Sequence, residues 1–150
     1  MSQSAQAIYD HAPLGARIAY SDGSPRPPAR FKNKLRSWER QNGTGFLSER
    51  RPGHRTDGPA LFTLRTDIYG SHETIVMIVN KIFDVSSTKE FAVIGEPSPG
   101  EVLCITVDRD GHDELAYVAR TQADADRWLE HNRYGTTRLE TVPERHAIAA

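Results

Sequence analysis

Hydrophobic positions in this chain follow a helical period in two places and a strand period through much of the rest. In residues 29–41, Phe31, Leu35 and Trp38 stand at i, i+4 and i+7, one apolar stripe of a helix. Pro28 suits the first helical position, and Gly43 offers a terminator because glycine accepts left-handed angles without a side-chain clash. A second helix is expected over residues 122–132, where Ala125, Trp128 and Leu129 share one face. Thr121 reads as its cap, with Asp124 three residues on in an approximate capping box, and Gly135 follows its end.

Strand candidates fill the intervening chain. Residues 16–20 form a short one, stopped by the turn sequence Ser21-Asp22-Gly23. Residues 45–48 supply another, ahead of a basic loop at 49–58. Residues 60–68 carry Leu61, Phe62 and Leu64 among Thr and Arg. Residues 73–85 are rich in β-branched types, and their run Ile75-Val76-Met77-Ile78-Val79 predicts a strand covered on both faces. Residues 90–94 make a shorter strand, and Pro97 and Pro99 forbid its continuation into the next stretch. Residues 101–108 and 114–120 form the clearest hairpin, with Asp110-Gly111 supplying positive backbone angles to its turn. Residues 136–142 can add a last strand. Residues 1–13 and 143–150 read as peripheral arms. The sum is a single α+β domain over residues 1–150, a mostly antiparallel sheet of about six strands with two helices. The lack of regular βαβ alternation argues against a parallel nucleotide-binding sheet.

Composition narrows the class. A chain of 150 residues suits one domain. With 37% apolar and 26% charged residues it is too apolar and too neutral to stay disordered. Its single Cys excludes an intrachain disulfide and a zinc site built from several thiolates. The longest aliphatic or sulfur-containing run, residues 75–79, is far short of a membrane span, and the N-terminus lacks a basic start followed by an apolar stretch. The expectation is a soluble, cytoplasmic protein without a membrane partner.

Charge changes the picture most. Residues 1–66 carry 11 Lys and Arg against 5 Asp and Glu, whereas residues 67–150 carry 8 against 15, so a net charge of −1 conceals a basic half and an acidic half. Between Arg26 and Arg55 nine cations face only Glu39 and Glu49. With the apolar stripe turned inward, Arg30, Asn33, Ser37 and Arg40 fall on the outer helix face, flanked by Lys32, Lys34 and Arg36. Arg50, Arg51 and Arg55 in the following loop can extend that patch. A cationic surface of this kind attracts phosphates and releases counterions on binding. Asn and Arg are also types capable of bidentate base contacts. Trp38 is expected in the core. The leading reading is therefore a small non-enzymatic nucleic-acid-binding protein, for DNA or RNA, with no metal and no other cofactor.

Two alternatives use other residues. The acidic half, with its hairpin at 101–120, can serve as a protein-interaction or inhibitory surface, even one that mimics nucleic acid. Alternatively, the loop holding Arg51, His54, Arg55 and Asp57 can act as a metal-independent phosphodiesterase-like site. There His54 would be general acid or base, Asp57 would orient it, and the arginines would hold phosphate. Weaker motifs fall away. Prolines in 25–30 stiffen the approach to the first helix. Residues 108–114 lack the third acidic position and the bidentate Glu of a calcium loop. The six histidines show no pair at metal-binding helical spacing, and Cys104, mid-strand between Leu103 and Ile105, reads as an inert thiol. No glycine-rich phosphate loop, serine nucleophile elbow or zinc-protease motif is present.

Overall fold

Strand-forming residues dominate the chain, and in a computed structural model, which describes residues 2–53, 58–70, 75–132 and 136–144, they build one eight-stranded sheet. The element order is α1 (Ala5–His11), β1 (Arg17–Ser21), α2 (Lys32–Gln41), β2 (Gly43–Arg51), β3 (Leu61–Gly70), β4 (Ile75–Asp84), β5 (Glu90–Gly95), β6 (Val102–Val107), β7 (Asp113–Ala119), α3 (Gln122–His131) and β8 (Thr136–Thr141). The main path runs β4-β3-β2-β7-β6-β8, and β1 pairs with both β2 and β5 off that path. Each described pairing is antiparallel. The α+β class expected from sequence holds, with eight strands rather than about six, because every short strand candidate finds a ladder partner.

Two apolar clusters sit on this sheet. The larger gathers Ala5 and Ile8 of α1 with Ile18, Tyr20, Leu47, Phe62, Leu64, Phe83 and Phe91. Phe62, Phe83 and Phe91 meet with ring centroids 5.2–5.8 Å apart, edge-on or tilted, as aromatic quadrupoles prefer. The smaller packs Ala125 and Trp128 of α3 against Val102, Cys104 and Ala119. Trp128 stacks on Tyr117 at 5.9 Å. Thr121 caps α3 by accepting from the Asp124 amide at 3.1 Å, as its spacing predicts.

The N-terminal segment corrects an expectation. Residues 5–11, read as part of a loose arm, form α1, and Ser4 caps it by accepting from the Ala7 amide at 3.2 Å. Ala5, Ile8 and Ala12 are buried, and Gln3 extends the sheet through a bridge to Phe91. The β6–β7 turn also differs. Among its residues only Gly111 takes a positive φ, of 82°, while Asp108 and His112 close a three-residue loop. That is a type I turn completed by a left-handed glycine, so Asp110 needs no positive angle.

A third correction concerns β4. Its 75–79 run was expected to be covered on both faces, yet Met77, Ile78 and Ile82 are exposed. Among the described residues β4 pairs only with β3, which makes it an edge strand. Its β-branched composition reflects strand propensity more than burial. No helix of the described residues is long and apolar enough to cross a membrane.

The parts of the sheet that carry the two clusters join at a narrow seam, where β2 and β7 share the single ladder pair Glu49↔Glu114. Arg65 of β3 ties it. Its side chain is 3% exposed, donating to the Ala116 carbonyl at 2.7 Å and to Glu114 Oε1 at 3.2 Å. Burial pushes its guanidinium pKa down from the ordinary value, and Glu114 and Glu49 oppose that shift. Its Nε has no hydrogen-bond partner among the described residues.

Candidate nucleic-acid interface

Helix α2 begins where Pro28 ends the extended 24–28 stretch. The Phe31 amide donates to the Pro28 carbonyl at 3.0 Å and the Leu35 amide to Phe31 at 2.9 Å. Phe31 is the N-cap, makes no side-chain cap bond, and no acid occupies the first turn. Arg30, Lys32 and Lys34 instead crowd the positive end of the helix dipole, where cations weaken a helix. At the other end the chain leaves the helix at Asn42, whose backbone is extended (φ −139°). Asn42 is buried, donating to the Trp38 carbonyl at 2.9 Å and accepting from Ser21 Oγ at 2.8 Å and the Asp22 amide at 3.1 Å. Asn42 therefore performs the termination expected of Gly43. Gly43 starts β2 instead, where a Cβ would lie 2.8 Å from Tyr20 Oη.

The apolar stripe of α2 does not reach the core. No residue of the helix is fully buried, Phe31 is 41% exposed, and Leu35 and Trp38 are half-buried. Trp38, expected in the core, donates Nε1 to the Ser24 carbonyl at 3.0 Å. The large cluster takes Ala5 and Ile8 from α1 and no residue from α2. Phe31 carries two cations over its ring, Arg30 at 4.8 Å and Lys34 at 5.2 Å from the centroid. At the C-terminal end Lys81 of β4 donates to the Arg40 carbonyl and Lys89 to Gln41 Oε1. Burial, then Lys89 and Arg40, push the Lys81 ammonium pKa below its ordinary value.

The structure divides the eight cations expected to form one patch. Arg30, Lys32, Lys34, Arg36 and Arg40 lie exposed on or just before α2, and none forms an ion pair among the described residues. Lys32, Arg36 and Arg40 stand four residues apart, a ridge that climbs about 6 Å per step. Arg50 and Arg51 close the nine-residue β2, roughly 26 Å of strand from the helix end. Both are engaged: Arg50 donates to the Tyr9 carbonyl at 3.2 Å, and Arg51 pairs with Glu49 at 3.3 Å and Asp108 at 3.1 Å. Those carboxylates, Glu49 foremost, raise the Arg51 pKa. Arg55, together with His54 and Asp57 of the enzyme alternative, lies outside the described residues.

Four carboxylates of the acidic half are held in ion pairs, two of them with arginines of the basic half. Glu114 pairs with Arg65, Asp108 with Arg51, and Asp113 and Glu140 with Arg138, at 2.7 and 2.8 Å for the last two. Asp124 accepts from Tyr117 Oη at 2.9 Å and the Arg120 amide at 3.2 Å. Burial, then that carboxylate, push the Tyr117 pKa up to about 12. Asp108, Asp110 and His112 bring their ligand atoms within 4.8 Å of one another. All three lie in the 108–114 stretch whose sequence falls short of a calcium loop. Asp108 Oδ1 accepts the amides of Asp110 and His112 at 2.9 Å each, and Oδ2 accepts from Arg51. The carboxylate is occupied by turn and ion-pair bonds, and the backbone N–H of His112 foremost lowers its pKa.

A family model covers residues 3–146 of this geometry, under the description uncharacterised conserved protein UCP036055. The chain belongs to that family. Comparison with curated proteins gives no match. Comparison with solved structures gives none either. The match spans both apolar clusters, the seam and α2.

Proposed function

We propose that this protein binds nucleic acid through α2, whose exposed cations contact backbone phosphates, and that it does so without catalysis. One contrast carries the reading. The five cations of residues 30–40 are solvent-facing and free of ion pairs among the described residues, while Asp108, Asp113, Glu114 and Glu140 of the acidic half are ion-paired and Asp124 accepts from Tyr117. A helix with no acid in its first turn and three cations at its positive end is poorly arranged for its own stability. An anion beside those residues relieves their mutual repulsion and meets the open amides of the first turn. Sites that violate local stability rules are where function is expected. The reading rests on Arg30, Lys32, Lys34, Arg36 and Arg40, and places the protein with its ligand in the cytoplasm. It leaves Arg50 and Arg51 to structural pairing.

The test is fluorescence anisotropy of labelled duplex DNA, single-stranded DNA and RNA, using the full chain and a K32E/R36E/R40E variant. At about 50 mM salt the reading predicts binding by the parent and at least a tenfold loss in the variant, with unchanged far-UV circular dichroism. Equal binding by a folded variant, or no binding by the parent at that salt, would refute it.

A further inference from the structure

The sheet manages its edges unequally. The outer strand β8 displays Arg138 and Glu140, charged residues that discourage pairing, and the β5 edge is covered where Gln3 bridges to Phe91. β4 carries Lys81, whose ammonium is bonded to the Arg40 carbonyl, and Asp84 at its end, but apolar residues dominate the rest of the strand and no bridge covers its outer edge among the described residues. It is ten residues long, and Ile82 is 65% exposed, Met77 51% and Ile78 38%. Its register against β3 is unbroken on the β4 side from Met77 to Phe83, since the irregularity between Arg65 and Asp67 belongs to β3. An uncovered edge of this length and composition invites a further strand.

We infer that β4 is a homodimer interface, pairing antiparallel with β4 of a second copy in a register centred on Asn80. The pattern of the strand selects both occupant and register. An antiparallel pair of identical strands is isologous, so each residue meets its mirror position across the dyad. Centring on Asn80 sets Asn80 against itself and each Ile78 against the other copy's Ile82, joining the exposed isoleucines of one face. On the opposite face Val79 meets Lys81 and Met77 meets Phe83, and no like charges oppose. A shift of one position toward the C-terminus centres the pair on Lys81 and places two ammonium groups together, which disfavours it. The two sheets continue as one, related by a twofold axis perpendicular to it. Lys81 touches the Arg40 carbonyl, so both α2 helices then lie on the same face, flanking the dyad. The inference stands on the strand edge and does not depend on nucleic-acid binding.

Sedimentation velocity of the full chain over a hundredfold concentration range is expected to show a species of twice the 16.8 kDa chain mass. An I78K/I82K variant should remain at the single-chain mass throughout. Mild oxidation of an Asn80→Cys variant should give a disulfide-linked dimer, because cross-strand partners lie within disulfide reach. An Ile82→Cys variant should not crosslink, its two thiols being four residues, roughly 13 Å, apart along the strands. The native Cys104 is buried and contributes no background. A parent that stays monomeric overturns the inference, as does a dimer in which Asn80→Cys fails to crosslink or Ile82→Cys crosslinks equally. Should the lysine variant not fold, the two cysteine variants decide the matter alone.

Discussion

Arg65 shows how far one residue can depart from what its type suggests. In sequence it is one more cation in a basic half, yet it is 97% buried and holds the seam between the two apolar clusters through the Ala116 carbonyl and Glu114. Removing one partner of a buried pair costs more than the pair contributes, because the other is left uncompensated. Arg65→Ala is therefore expected to destabilise the fold by about 3 kcal/mol in urea denaturation, near the lower end for buried pairs because Glu114 is partly exposed. Cys104 behaves as its mid-strand setting predicts. Burial, with Asp124 adding to it, raises the thiol pKa to about 11 from 9.0. A raised acid pKa favours the neutral thiol in the folded state, so this contribution is complete below pH 9 and is lost as pH climbs toward 11. Labelling by a thiol reagent at pH 8 should be negligible in the native protein and rapid in denaturant; fast native labelling would contradict the burial. The inert thiol was legible from its neighbours Leu103 and Ile105. The role of Arg65 was not, because the seam exists only once β2, β3 and β7 are brought together.

At the scale of elements, the same contrast separates α1 from α2. The stripe Phe31, Leu35 and Trp38 is conspicuous and the helix it predicts forms, beginning at Lys32 where 29 was expected. Its burial does not follow, because amphipathic spacing reports a helix and not its packing partner. The helix that fills the core is α1, whose signal is quiet: a Ser4 cap and a stripe of Ala5, Ile8 and Ala12, small residues that a hydrophobicity scan weighs lightly. Ile8 is fully buried among Phe91 and its neighbours. Ile8→Ala should cost about 3 kcal/mol, whereas a peripheral arm would lose under 0.5 kcal/mol on the same change. Equilibrium urea unfolding distinguishes these directly. The strands themselves were more legible than their coverage. Alternation and turn residues located all eight candidates, but whether a strand is central or at an edge depends on partners distant in sequence. The Ile75–Val79 run therefore suggested burial and belongs to an exposed edge.

Over the whole molecule, charge is organised by use more than by location in the chain. Four carboxylates of the acidic half are ion-paired, two of them with Arg51 and Arg65 of the basic half, and α2 keeps its cations for solvent. Sequence arithmetic found the asymmetry, but could not distinguish the engaged arginines at the end of β2 from the free ones on the helix. Dimerisation through β4 would place two such helices on one face and let a single polyanion engage both, raising avidity without new contacts. The central claim is that α2 binds phosphates, and its most direct measure is the salt dependence of affinity for duplex DNA. If the five cations of residues 30–40 each neutralise a phosphate, the logarithm of the binding constant should fall with the logarithm of salt at a slope of about −4.5 per chain. The K32E/R36E/R40E variant should flatten that slope by at least half. Binding whose salt slope is near zero, or unchanged in the folded variant, would contradict the account.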